Sequence, residues 1–494
     1  MYYGWGSNCS AQLSDSCDYS IENPSILNNH NYPNIKSLCF GYDHTVYLLE
    51  DGSVHTRGSN AFFQLGSKDP EAKTSIISAF DDRIVSVVSG AYHSGALDEY
   101  GRLYTWGCNI NGQLGWQGEE GNVQLVSSLL DYKIIQVSMG IEHTIALTET
   151  SLLFVWGDNS KGQTCSHSAH SEPKLLVELL GLPIKQISAG GYHNSVLTPS
   201  GSYFSWGWND QGQIGNGTME EIVNVPVLNK SLKKVKIIQI ENGEKHSLVL
   251  TKDGKMFAFG MNKFGQLGLG GDISFIESPT EVIIPRRNIV QIASGRYHTV
   301  LVTTAVDYSS ACLSGFGFSD FNQLGPNTNQ PKVVDMIDIL GPWSVVLNEP
   351  VPRFTKNILK CLVVAGDCTA IKYCPPESGE LTHDTRRFGP YHTSTKKVAH
   401  LSSSLLKIIE RINSEDLMDV DEAKGQSVPQ LDATETPRAL SQSEEKEEAF
   451  HLDFLYQQLF PSSLSKVLKL KIILKYLESV YSSFGCLSAS CLVS

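Results

Sequence analysis

Residues 84–115 read IVSVVSGAYHSGALDEYGRLYTWGCNINGQLG, and this stretch decides the fold. Ile84 to Val88 is a β-branched run of the kind that forms strands, and Ser89-Gly90 ends it. His93 to Leu97 and Leu103 to Trp106 are two further strand candidates, with Asp98-Glu99-Tyr100-Gly101 supplying turn chemistry between them. The stretch then recurs. Gly-x-x-His stands at Gly41/His44, Gly90/His93, Gly140/His143, Gly190/His193, Gly243/His246 and Gly295/His298, with histidine spacings of 49, 50, 50, 53 and 52. An aromatic-Gly pair or a near miss follows each: Arg57-Gly58, Trp106-Gly107, Trp156-Gly157, Trp206-Gly207, Phe259-Gly260 and Phe316-Gly317. After most of these comes an Asn-x-x-Gly-Gln-Leu-Gly theme, as in Asn109 to Gly115 and Asn262 to Gly268.

Elsewhere the inner turn reads Asp51-Gly52, Ser200-Gly201 and Asp253-Gly254, which are hairpin signals. A four-stranded unit of about 50 residues, repeated radially, is a propeller blade. The ends set the blade number. Leu362 to Ala370 has the form of a seventh Gly-x-x-His strand with Thr369 in place of histidine, and no aromatic-Gly pair follows it. The chain opens with such a pair, Tyr2 to Gly6, and no Gly-x-x-His precedes it. The two halves complete one blade, so the expectation is an all-β, seven-bladed β-propeller over 1–373. Tyr2 to Gly6 is expected to pair antiparallel with Cys368 to Tyr373.

These motifs are where a family resemblance enters. Gly-x-x-His-Thr followed by Trp-Gly-x-Asn-x-x-Gly-Gln-Leu-Gly resembles the regulator-of-chromosome-condensation repeat family. The resemblance implies a propeller that serves as a protein-interaction platform. Arg57 for the aromatic, Thr164 for Leu, and Thr148-Glu149-Thr150-Ser151 without its turn glycine are local departures.

Composition bounds the function. The chain has 494 residues, 41% hydrophobic, too many for one ordinary domain of roughly 100–200 residues and enough apolar content for a sizeable core. Net charge is −13, and a nucleic-acid partner is not expected without a basic face. From Glu415 to Glu448 there are 11 acidic and three basic residues, so −8 of that charge sits in one segment. Eleven cysteines without a CxxC pair, no secretory leader, and no run of about 18 apolar residues point to a reducing compartment, read as cytoplasmic.

The six histidines stand one per blade, whereas a metal needs its ligands within about 2 Å of one ion, so they read as structural and no metal is expected. The glycines read as positive-φ or close-packing positions. No phosphate loop is present, and neither a cofactor nor a catalytic constellation stands out. Trp106, Trp156 and Trp206 read as blade core. The densest basic cluster is Lys230, Lys233, Lys234 and Lys236, a solvated loop whose functional alternative is contact with an acidic partner. Function in a repeat protein concentrates in loops that break the repeat. The longest break is Thr303 to Ala311 in the sixth hairpin, which makes Asp307 and Tyr308 candidate partner contacts.

Beyond the propeller, residues 374–412 form a mixed extension with a helix expected at Leu401 to Ile412. The span 413–449 reads as an acidic disordered linker. Residues 450–494 read as a short helical segment, with Val467, Leu468, Leu470, Ile473, Leu474 and Leu477 at helical spacing. Val480 to Ser490 is similar to a Phe-Ser-Ser-x-x-Cys-Leu-Asn-x-Ser segment that follows the propeller in the HERC family, with Ser488 where that family has Asn. Members of that family join these repeats to a carboxy-terminal HECT ubiquitin-ligase domain. The resemblance implies an amino-terminal fragment of a HERC-like ubiquitin ligase that recruits a ubiquitination substrate or regulatory partner. The alternatives are a guanine-nucleotide exchange factor or regulator of a small GTPase, as the founding repeat protein is, and a free-standing scaffold. Cys486 and Cys491 lack the Thr before and Phe-Asn after that mark a HECT cysteine, so no catalysis is expected of this chain itself.

Overall fold

The computed structural model describes residues 2–372 apart from 28–31, 33, 119–120, 167–168, 306–310, 326–331, 341–361 and 366. The mixed extension, the acidic linker, the helical segment and the pair Asp307/Tyr308 lie outside the described residues. Within them the strands form seven four-stranded antiparallel sheets, and six of these are continuous in sequence. Blade two, for example, runs Ile84–Ser89, His93–Asp98, Leu103–Gly107 and Gln124–Leu125. The seventh sheet has the order Ser20–Ile26, Tyr2–Ser7, Cys368–Lys372, Leu362–Ala365. Its register runs from Tyr2 opposite Lys372 to Gly6 opposite Cys368, so the two ends of the propeller share one blade.

The first strand of each blade is the inner one. These seven strands touch their neighbours in a closed circuit, including Leu362–Ala365 against Ile35–Phe40. Each blade alone cannot bury its faces, so the core lies between blades. Leu97, Leu103 and Leu114 of blade two pack with Ala146, Phe154 and Trp156 of blade three in one such cluster.

Glutamines on the inner strands add a second bond between blades. Gln186 Nε2 donates to the Ile240 carbonyl at 2.7 Å, and its Oε1 accepts from the Ile240 N–H at 3.1 Å. Gln239 grips Ile292 in the same way. The outer strands carry Pro173, Pro226 and Pro279, which remove donors from an edge that would otherwise invite pairing.

Three local features differ from a uniform repeat. Short 3-10 turns at Ser127–Leu129 and Val177–Leu179 lead from the outer strands of blades two and three. Ser151 takes φ 65° at the turn that lacks glycine. The sixth hairpin spends its extra length on longer strands, His298–Ala305 and Ala311–Phe318, with Thr304 opposite Ala311.

Candidate interaction face

The Gly-x-x-His turns meet around the propeller axis, and the pairing of the two residue types has a steric cause. A Cβ on Gly90 would lie 2.4 Å from His93 Cε1, and the five equivalent glycines show 2.1–2.3 Å. The imidazole therefore occupies the volume a side chain would need. None of these six glycines has positive φ, so space rather than backbone conformation selects them. The glycine of the aromatic-Gly pair has the other reason. Gly107 has φ 107°, and a Cβ there would meet the Tyr92 carbonyl at 2.6 Å.

Each histidine reaches the next blade. His44 Nε2 lies 2.7 Å from Ser94 Oγ, His93 3.0 Å from Thr144, His143 2.8 Å from Asn194 and His193 2.9 Å from Ser247. His246 meets Thr299 at 3.2 Å and His298 meets Thr369 at 3.3 Å. The Thr144 hydroxyl donates its one proton to the Gln113 carbonyl at 2.8 Å, so it accepts from His93, which fixes the Nε2–H tautomer. The same glutamine carbonyl also accepts from Trp156 Nε1 at 2.9 Å. Trp106 and Trp206 do likewise with Gln64 and Gln163, both at 3.0 Å. Burial lowers these imidazoles to about 3, or about 4 for His143, so all six are neutral. Among the described residues no three His, Cys, Asp or Glu gather as a metal-holding group.

With glycine and histidine turned inward, the two residues between them are left to face outward at the axial mouth. Tyr42 of blade one, Glu244 of blade five and Arg296 and Tyr297 of blade six converge there. The Tyr42 hydroxyl donates to Glu244 Oε2 at 2.5 Å, Arg296 Nε to the same oxygen at 2.7 Å, and the Tyr297 hydroxyl to Oε1 at 2.5 Å. The Arg296 guanidinium also lies over both tyrosine rings, 4.5 and 5.0 Å from their centroids. Together with the glycine backbones Tyr42, Glu244 and Arg296 line an axial cavity of about 90 Å³. Asp367 of blade seven is raised to about 6 by burial, and its Oδ1 has no hydrogen-bond partner among the described residues. Asp43 is raised for the same first reason.

Aromatic and charged groups continue outward from the mouth. Tyr92 packs on Tyr42 and Phe62, and Trp208 is covered by the ammonium groups of Lys245 at 3.6 Å and Lys161 at 4.7 Å. Lys245 also pairs with Asp210 at 2.9 Å. Tyr, Trp and Arg presented half-buried on one face are what protein interfaces use as anchors. The buried thiols Cys39 and Cys368 are pushed up by desolvation and are poor nucleophiles.

The structure separates the other sequence candidates from this mouth. Lys230, Lys233, Lys234 and Lys236 are exposed on the loop from the outer strand of blade four to the inner strand of blade five. That loop lies beside the Gly201 turn, at the opposite end of the strands from the Gly-x-x-His turns. The axial residues Tyr42, Glu244 and Arg296 escaped sequence reading because they occupy the variable positions of the repeat. Their one signal was that those positions sit between two residues that must point inward.

Seven antiparallel blades closed by the two ends and clasped by repeating histidines define a seven-bladed β-propeller of the Gly-x-x-His type. A family model described as the RCC1-like domain matches residues 1–349, and the chain belongs to that family. It is 37% identical over 119 residues to "Probable E3 ubiquitin-protein ligase HERC4" of Homo sapiens, a match covering 23% of this chain and 10% of that protein. The chain therefore spans a tenth of that relative. It is 31% identical over 387 residues to the human "X-linked retinitis pigmentosa GTPase regulator", covering 76% of this chain and 31% of the relative. Among solved structures, Prp20p of Saccharomyces cerevisiae superposes with a TM-score of 0.64 at 20% identity, over 82% of this chain and 94% of that one. No helix among the described residues is long and apolar enough to cross a membrane.

Proposed function

We propose that this chain is the recruiting propeller of a HERC-like ubiquitin-protein ligase in the cytoplasm, holding a substrate or regulatory protein for a HECT domain. The observation behind recruitment is the axial mouth, where the Tyr42, Glu244, Arg296 and Tyr297 side chains from three blades form one pre-organised polar and aromatic surface. The likeness to HERC4 and the Val480 to Ser490 segment support the choice of ligase class. The loop of Lys230, Lys233, Lys234 and Lys236, and the pair Asp307/Tyr308, are secondary contact candidates for that partner. Its test compares ubiquitinated proteins in cells carrying the full-length gene product or its Glu244→Ala/Arg296→Ala variant. Proteins that lose ubiquitination in the variant and bind the purified chain directly are the expected result; no difference overturns the reading. The purified chain itself should form no dithiothreitol-sensitive ubiquitin adduct with a charged conjugating enzyme. An adduct abolished by Cys486→Ser or Cys491→Ser would contradict that.

A second reading, regulation of a small GTPase, is favoured by the likeness to the retinitis pigmentosa GTPase regulator. Nucleotide-release assays across a GTPase panel separate the two: acceleration of about tenfold or more by this chain selects the second reading.

A further inference from the structure

Blade three departs from its neighbours at the loop joining its third and outer strands. In blades one, two and four a hydroxyl on the third strand ties that loop down. Thr56, Thr105 and Ser205 donate to the carbonyls of Leu65, Leu114 and Ile214 at 2.7, 2.7 and 2.8 Å. Blade three has Val155 at this position, which cannot donate, and Thr164 where the others carry Leu or Ile. The next residue, Cys165, adopts φ 53°, a left-handed conformation that Gly66, Gly115, Gly215 and Gly268 fill in other blades. A side chain held there is strained. Burial also pushes its thiol well up, which removes nucleophilic chemistry from the cavity.

Blade two shows what this space accommodates. Trp116, 6% exposed, lies over the third strand and donates from Nε1 to Thr105 Oγ1 at 2.8 Å. Blade three keeps the same spacing and register, with Lys174 opposite Val155 as Gln124 is opposite Thr105. It has Ser166 where blade two has Trp116. A cavity of about 320 Å³ remains, within the size range of small-molecule sites. Its floor is Val155 and Leu176, 1% and 3% exposed, and the Thr164 and Ser166 hydroxyls lie 3.1 Å apart along one wall. Lys174 at the edge donates to His170 Nε2 at 2.7 Å, leaving further N–H groups for a ligand. Glu178 lines the same cavity.

We infer that this cavity on blade three binds an indole-sized aromatic ring carrying an anionic or acceptor group, with its polar edge toward Lys174. The ring repeats the place of Trp116, and the Lys174 ammonium supplies the charge that Gln124 lacks. Such a ring arrives either as a free aromatic acid or as a Trp side chain beside an acidic residue in a partner peptide. The site shares no residue with the axial mouth, so its fate is independent of the function proposed above.

Calorimetric titration of the whole chain with indole-3-carboxylate, with indole, and with a short Asp-Trp peptide tests it. Saturable binding with Kd on the order of 0.1–1 mM is expected for the carboxylate, as suits so small a ligand. Ser166→Trp, which rebuilds blade two's filling, should weaken it at least about tenfold with an unchanged unfolding midpoint. Should that variant fail to fold, Thr164→Leu, which restores the aliphatic residue of the other blades, serves in its place. Lys174→Gln should abolish the preference for carboxylate over indole while leaving indole bound. The tighter of peptide and free acid identifies the source. Absence of saturable binding by any probe to about 10 mM, or unaltered affinity in the filled variant, overturns the inference.

Discussion

Between blades three and four, His143 meets Asn194 and Trp206 meets the Gln163 carbonyl. Between blades seven and one, Thr369 stands where the histidine would be and Arg57 where the tryptophan would be. The hydroxyl half of the arrangement persists at the closing joint, since Thr45 Oγ1 donates to the Gln12 carbonyl at 2.7 Å. The indole half is replaced by a charge. Arg57, 2% exposed, donates from Nε to the Ala11 carbonyl at 2.7 Å and pairs with Asp15 at 2.5 Å. The Asp15 side chain is 79% exposed. Six joints are thus held by neutral groups shut away from water, and one by an ion pair whose acid lies in solvent. The first kind responds to protons, the second to salt.

Deleting residues 2–7 tests the closing joint most severely, because it removes the third strand of blade seven and the Trp5 bond to the Gln323 carbonyl. The seventh inner pair would be left with an open edge. The expected outcome is loss of the cooperative thermal transition, followed by circular dichroism; a midpoint within a few degrees of the intact chain would break the closure.

Acid should strike the other six joints together. A histidine lowered from 6.5 to about 3 stays neutral when folded but protonates once unfolded, so its stabilisation is present above pH 6.5 and is lost as pH falls toward 3. From pH 7 to 5.5 the six lose roughly 7 kcal/mol together. Asp367 and Glu241, raised to about 6 and about 7 by burial, gain protons more readily when folded and offset about 2 kcal/mol over that window. A net loss of roughly 5 kcal/mol is comparable to the whole stability of many domains. Urea titrations at pH 7.0 and 5.5 measure it, and equal stabilities would show that the imidazoles are not held neutral.

Asp15→Ala isolates the ionic joint. It leaves the buried guanidinium with the Ala11 carbonyl and water, and should cost about 1 kcal/mol. Raising salt from about 0.05 to about 0.5 M should reproduce most of that loss in the parent chain and little in the variant. Equal salt responses would show that the joint is not ionic in effect.

The smallest effect concerns a turn remote from both kinds of joint. Ser151→Gly releases a non-glycine residue from φ 65° and should raise stability by about 0.5–1 kcal/mol, read from the same urea titration. A loss instead would mean that the Ser151 Oγ contact with the Ile184 N–H outweighs the strain.

How much was legible differs between the two levels of organisation. The blade count, the strand pairs and the shared closing blade follow from the period of Gly-x-x-His and from the half-repeats at Tyr2 and Thr369. The steric reason for the motif did not, because the overlap of an imidazole with an absent Cβ appears only when the turn is folded. The candidate face was less legible still. Tyr42 and Glu244 are 202 residues apart and share a carboxylate bond only because the inner strands converge on one axis.

By itself the sequence determined what depends on nearest neighbours along the chain. That covers which residues form strands, where glycine is needed, where one blade ends and the next begins, and that seven blades close a ring. Tertiary structure decided what depends on neighbours across blades. It set the tautomer and neutrality of each histidine, the gathering of Tyr42, Glu244, Arg296 and Tyr297, and the opening beside Val155. The physical reason is that turn and strand preferences are set by a few local dihedral angles and side chains. Burial, by contrast, shifts a proton or leaves a cavity according to which distant atoms arrive at the same place.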